Sequence, residues 1–120
     1  MDEAKMKSAV LILASVDIPT TVRFYTETIG FSCQFQSIGE YAILHRDGIE
    51  IHFWCCADPN IAANTACRVE VTGIASLYSE YASRNALRPD SALEEKPWQT
   101  REFEVFDPHS NLITFFKNID

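Results

Sequence analysis

Apolar and polar positions change period several times along the chain, and each change marks an element. Ala9 to Val16, "AVLILASV", is a continuous apolar run of strand length. Asp17 follows as a helix N-cap with Pro19 in the first turn. Ile18, Val22, Tyr25 and Ile29 then recur at helical spacing until Gly30 stops the helix. "FSCQFQ" alternates, which predicts a short strand with Phe31, Cys33 and Phe35 on one side. "YAILHRDGIEIHFW", from Tyr41 to Trp54, predicts two strands turning at Asp47-Gly48. Residues 57–65, "ADPNIAANT", are small and polar and read as a linker.

After the linker the order repeats. "ACRVEV" predicts a strand, and Ile74, Leu77, Tyr78 and Tyr81 mark the buried face of a helix ending near Asn85. "DSALEEKPWQT" reads as a long irregular loop. "REFEVF" and "NLITFF" form a second hairpin around Asp107 to Asn111. Each half thus reads β-α-β-β-β, as units over 8–57 and 66–117 within a single domain spanning 1–120, of fold class α+β. Aligning Gly48 with Ser110 superposes His52 on Thr114 and Phe53 on Phe115. Neither half has enough apolar surface to stand alone, so the repeat implies one shared core.

Alternation also sorts the strand faces. Ile49, Ile51 and Phe53 point toward a helix, which leaves Glu50, His52 and Trp54 on the other face. In the last strand Ile113 and Phe115 pack inward, leaving Leu112, Thr114 and Phe116. This second face mixes aromatic, polar and charged residues. A merely solvated face would carry more Lys and Glu, so the mixture suits a binding surface.

Composition narrows the function classes. The net charge of -7 argues against nucleic acid, whose partners present a basic patch, and is compatible with a cationic small molecule. No apolar run reaches the roughly 18 residues of a spanning helix, so no membrane partner is expected. With no basic-then-apolar leader in "MDEAKMK", the expected compartment is the cytoplasm. Cys33, Cys55, Cys56 and Cys67 lack metal or redox spacing and read as reduced thiols. Neither a nucleophile elbow nor a Gly-rich phosphate loop occurs.

The stretches "VDIPTTVRFYTETIGF", "YAILHRDGIEIHFW" and "PWQTREFEVFDPHSNLITFF" resemble the vicinal-oxygen-chelate superfamily, which includes glyoxalases, dioxygenases and bleomycin-resistance proteins. "RDGIEIHFW" with "PWQTREFEVFDPHSN" is most similar to the bleomycin-resistance, antibiotic-binding branch, with Ser110 standing where the final turn usually has Gly. The resemblance implies tandem βαβββ modules forming a cupped mixed sheet. It further implies a domain-swapped homodimer that exchanges its N-terminal strand and holds a drug in clefts at the interface. Enzymes of the superfamily bind one divalent metal through His and Glu of the first and last strand of each module. Those positions here are Val10, His52, Ala66 and Thr114. One imidazole among three non-ligands cannot supply the three or so donors a catalytic ion needs. His45, placed on the opposite face or at the rim, and His109, in the turn, do not complete the set.

The resulting expectation is a protein with no metal or other cofactor that sequesters a flat, cationic or peptide-like antibiotic of the bleomycin type without catalysis. The alternative is a metal-dependent enzyme of glyoxalase or dioxygenase type with an atypical ligand set. The resemblance places Trp98 of the "PW" motif at the crevice, with Phe35 nearby. Alternation places Trp54, His52 and Glu50 on the cup, with Thr114 opposite and Tyr41 on its wall. Glu102 belongs to the "REF" motif. Arg68 faces the cup if Ala66 does, and then calls either for a Glu partner there or for a ligand that carries an acceptor or a carboxylate. Aromatic plates would stack flat rings and carboxylates would meet a cationic tail.

Overall fold

The computed structural model describes residues 2–119; Met1 and Asp120 lie outside the described residues. Strand β1 (Leu11–Ser15) leads into helix α1 (Ile18–Arg23), where the Asp17 carboxylate accepts the Thr20 N–H at 3.1 Å. The helix widens into a π-helical turn over Phe24–Thr28 and ends at Gly30, whose φ is +78°. A Cβ on Gly30 would lie 2.7 Å from Arg46 Nη1, to which the flexible arginine end would have to yield, so it is the left-handed conformation that favours glycine there. Strands β2 (Ser32–Ser37), β3 (Tyr41–Arg46) and β4 (Ile49–Cys55) complete a sheet of order β1-β4-β3-β2, with β1 parallel to β4. Asp47 and Gly48 at the β3–β4 turn have φ of +50° and +85°, the left-handed pair of a two-residue hairpin.

After the short helix α2 (Pro59–Ala62), the plan recurs. Strand β5 (Ala66–Glu70), helix α3 (Ile74–Ser83) and strands β6 (Glu94–Lys96), β7 (Thr100–Phe106) and β8 (Leu112–Asn118) give a second sheet of order β5-β8-β7-β6. The α+β fold of tandem βαβββ modules is therefore the one the chain adopts.

Three local expectations change. The stretch 57–65 is more than a linker: Asp58 caps α2, and Ala62 packs with Ala14 and Cys56. The stretch "DSALEEKPWQT" is not wholly irregular, because Glu94–Lys96 pairs with β7 across a turn where Gln99 has φ +67°. A three-residue edge strand with a charge at every position carries no apolar alternation and is invisible to a period-based reading. In β2 the pairing jumps from Cys33–Leu44 to Phe35–Ile43, a bulge that sends Phe35 to the face opposite Cys33, while Phe31 is buried in the core.

The helix-bearing faces of both sheets merge. Tyr25 and Phe53 from the first half pack in one cluster with Tyr81, Phe103 and Phe115 from the second. A buried polar clasp fixes this union. Tyr25 donates its hydroxyl proton to Asp107 Oδ2 at 2.9 Å, and the Asn111 amide donates to the same oxygen at 2.9 Å and to the Ala14 carbonyl at 2.8 Å. The backbone N–H groups of His109 and Asn111 complete the cradle at Oδ1, each at 3.0 Å. Burial pushes the Asp107 carboxyl above its usual range against the pull of these donors, and pushes the Tyr25 phenol well up. At the other end of the contact, Arg46 donates to the Ile29 carbonyl at 2.8 Å and to Glu80 at 3.0 Å. Ser110, at φ +69°, holds a left-handed position in the β7–β8 turn that glycine would adopt without strain.

Replacing Tyr25 by Phe removes one donor from Asp107 and changes little else. It should lower unfolding free energy by about 1–3 kcal/mol in urea melts, with the denaturant slope unchanged. A loss below about 0.5 kcal/mol would mean that the clasp contributes little.

Candidate functional site

Because the helix faces are buried against each other, the opposite face of each sheet is left open, and the expected site residues divide between these two open faces. On the first sheet, cross-strand neighbours share a face: Tyr41 lies opposite Trp54, Ile43 opposite His52, and His45 opposite Glu50. His45 therefore lies on the same face as Glu50, not across the sheet from it. Phe35, brought over by the bulge, stands beside Ile43. Trp54 and Phe35 are 43% and 50% exposed, leaving large aromatic surfaces open on this face.

A hydrogen-bonded chain crosses this face. Tyr41 Oη lies 2.7 Å from His52 Nδ1, and His52 Nε2 lies 2.8 Å from Glu50 Oε2. One tautomer satisfies both contacts: the Nε2–H donates to the carboxylate, and Nδ1 accepts the phenolic proton. The Tyr41 ring meets the imidazole edge-on, 5.4 Å between centroids.

On the second sheet the register places Arg68 beside Thr114, and Glu104 on the other side of Thr114. The β5 neighbour of Thr114 is thus Arg68, with Ala66 beside Leu112. In the first sheet the neighbour of His52 is Ile12, while Val10 precedes the strand. Arg68 pairs with a glutamate, and that glutamate is Glu102. The guanidinium donates through Nη2 to Oε2 at 2.5 Å and through Nη1 to Oε1 at 3.3 Å. Its plane covers the Phe116 ring at 4.5 Å. Trp98 Nε1 and the Thr100 hydroxyl also donate to Glu102 Oε2, at 2.9 and 2.6 Å. The Arg68 bonds, with help from Thr100 and Trp98, pull the Glu102 carboxyl down to about 2 in spite of its burial. Trp98, at the tip of the β6–β7 hairpin, is 60% exposed, and Lys96 Nζ sits 6.0 Å from its ring.

The structure therefore assembles Tyr41, His52 and Glu50 into one group beside Trp54 and Phe35. It assembles Arg68, Glu102 and Trp98 into another beside Thr114. No hydrogen bond or ion pair among the described residues joins the two groups. Thr100 and Phe116, which complete the second group, were not expected as site residues. Phe116 was placed on the open face by alternation, but only the strand pairing brings it under Arg68.

A divalent metal does not fit either face. Both imidazole nitrogens of His52 are committed, its β1 neighbour is the aliphatic Ile12, and the equivalent place in the second sheet pairs Thr114 with a guanidinium. Among the described residues no three His, Cys, Asp or Glu side chains are grouped to hold an ion. No helix of the described residues is long and apolar enough to cross a membrane. A cavity of about 590 Å³ lies away from all these residues, where the β3–β4 turn meets β5 and α3. Its walls include Arg46, Ile49, Val71, Leu77 and Glu80.

No protein-family model matches the chain. It is 32% identical, over 86% of its length and 90% of the relative's, to a bleomycin resistance protein of Geobacillus stearothermophilus. Among solved structures it is similar to the bleomycin-binding protein of the producer Streptomyces verticillus complexed with copper(II)-bleomycin. There the TM-score is 0.84 at 30% identity, over 94% of this chain and 97% of the other. A bleomycin resistance determinant encoded on transposon Tn5 matches at TM-score 0.81 and 25% identity, over 94% and 98%.

A carboxyl held near 2 makes a sharp prediction about acid. The ion pair's stabilisation is complete above the ordinary glutamate range and is lost only as pH falls through the folded value. The Trp98 indole N–H resonance should hold its position from neutral pH down to about 4.5, then move with a midpoint near 2. A midpoint in the ordinary range, about 4.3, would contradict the tight pairing.

Proposed function

Since the chain belongs to the bleomycin-resistance protein family, we propose that it binds a bleomycin-type glycopeptide antibiotic and sequesters it without making or breaking a bond in the drug. One observation carries the reading. Each open sheet face presents an exposed tryptophan, Trp54 or Trp98, next to polar side chains already fixed by hydrogen bonds to one another. Exposed indoles with ordered polar neighbours supply stacking surface and orientation, which is what a flat heteroaromatic guest requires. Phe35 and Tyr41 extend the wall on the Trp54 side, and Thr114 and Arg68 on the Trp98 side. Glu50, half-buried and bonded through one oxygen to His52, keeps its other oxygen for a cationic tail. The committed nitrogens of His52 favour binding without a resident metal.

The two open faces lie on opposite sides of one core, so a cleft lined by both needs a second copy of the chain. β1 and β5 are edge strands, each with one side unpaired, and Ile12 on β1 is 55% exposed. Joining β1 of one protomer to β5 of its partner would bring the Trp54 face of one against the Trp98 face of the other, giving two clefts per homodimer. Residues 2–10 are exposed and free of regular structure. In an antiparallel β1–β5 contact they would run past Glu70 toward the 590 Å³ groove beside Val71 and Leu77, the exchanged segment of a domain-swapped dimer.

The chain has two tryptophans, both on these faces, so fluorescence reads the site directly. Adding bleomycin should quench emission saturably at one drug per chain. Trp98→Ala should weaken binding by about 1 kcal/mol, roughly fivefold in Kd, if the indole stacks on the drug. No saturable quench at high micromolar drug would refute the reading, and unchanged affinity in the variant would remove Trp98 from the site.

A further inference from the structure

Glu102 is an unusual carboxylate for a binding face. It is only 4% exposed, and both oxygens are taken by groups of the protein itself: Arg68 on both, with Trp98 and Thr100 added on one. It therefore has no free oxygen facing the cleft with which to meet a ligand. Its partners differ sharply from it. Trp98 and Arg68 both reach into the open, and both would otherwise be free to rotate. Trp98 sits on a hairpin tip with Gln99 in a left-handed conformation, and it is mostly exposed, with Lys96 Nζ 6.0 Å from its ring. The indole's only hydrogen bond among the described residues runs to Glu102. Arg68 rests on Phe116, but its in-plane orientation is fixed by the same carboxylate.

The equivalent place in the first half supports the comparison. Strand pairing sets Glu102 opposite Phe116 as it sets Tyr41 opposite Trp54. Tyr41 occupies the corresponding node there, with its hydroxyl on His52. In both halves the residue at this register serves a polar neighbour on the same face.

We infer that Glu102 is a positioning residue of the cleft: it immobilises the Trp98 plate and the Arg68 guanidinium in one rigid unit, and itself makes no contact with the drug. This rests on the proposed role of Trp98 in drug binding. Freezing a rotamer-rich side chain before association removes its ordering entropy from the cost of binding, and Glu102 does so for two. Rigid preorganisation of this kind alters affinity without adding a contact.

The test separates the tether from the binding reading. In a Trp54→Phe background the only indole is Trp98, and its anisotropy decay reports local motion. The Glu102 form should show a single slow decay. Glu102→Ala should add a sub-nanosecond component, and Glu102→Gln, which keeps an oxygen for the indole, should largely suppress it. Calorimetry on chains that keep Trp54 should give a bleomycin Kd raised about tenfold by Glu102→Ala and about twofold by Glu102→Gln. Trp98→Phe, an exposed change that keeps a ring but loses the N–H, should weaken binding nearly as much as Trp98→Ala. It stands in should the Glu102 variants fail to fold. Three results would overturn the inference: a Trp98 that stays immobile in Glu102→Ala, an affinity lost in that variant without any gain in mobility, or a Trp98→Phe chain that binds like the parent. If the parent chain fails to bind bleomycin, the functional reading fails, while the anisotropy decays still decide whether Glu102 holds the indole.

Discussion

Asp107 lies buried where the two halves of the chain meet, and four hydrogen bonds are donated to its carboxylate, from the Tyr25 hydroxyl, the Asn111 side chain and two backbone N–H groups. A buried carboxylate is tolerated only when so surrounded. That requirement holds α1 of one half against the last hairpin of the other. The aromatic cluster around Tyr25, Phe53, Tyr81, Phe103 and Phe115 then fills the space between the sheets. Once the helix-bearing faces are joined this way, each sheet has one face left, and the two remaining faces look away from each other. The location of the candidate site follows from how the core is closed.

What those faces carry follows a second constraint. Polar groups half-removed from water need partners, and here they find them within the face: Tyr41, His52 and Glu50 on one sheet, Arg68, Glu102, Trp98 and Thr100 on the other. Prior pairing occupies both ring nitrogens of His52 and sets the charge of Arg68 against that of Glu102, which suits the cationic guest proposed above. The exposed aromatic surface that remains beside these networks is suited to contact, and the networks keep it in place.

Much of this was legible in the chain. The hairpin at Asp47-Gly48, the Asp17 cap, the helical spacing through Tyr25 and the split of Glu50, His52 and Trp54 from Ile51 and Phe53 all depend on local periodicity, which sequence records directly. The Arg68–glutamate pair was legible as a need, since alternation put an arginine on an otherwise acidic face; which glutamate answers it depended on register. Register is where the reading went astray elsewhere too. A bulge in β2 turns Phe35 to the face opposite Cys33, because a one-residue shift exchanges faces without altering composition, and the β5 neighbour of Thr114, Arg68, is set by a strand pairing that alternation alone does not give. Strand β6 and helix α2 escaped notice for a different reason: both are too short to show a period, and one is entirely charged.

The most direct test of the account is native mass spectrometry of the protein mixed with excess bleomycin. A particle of two chains carrying two drug molecules, with the drug recovered at its original mass, is the predicted result. A single chain with or without drug, a stoichiometric metal retained by the protein alone, or drug recovered with an altered mass would contradict it.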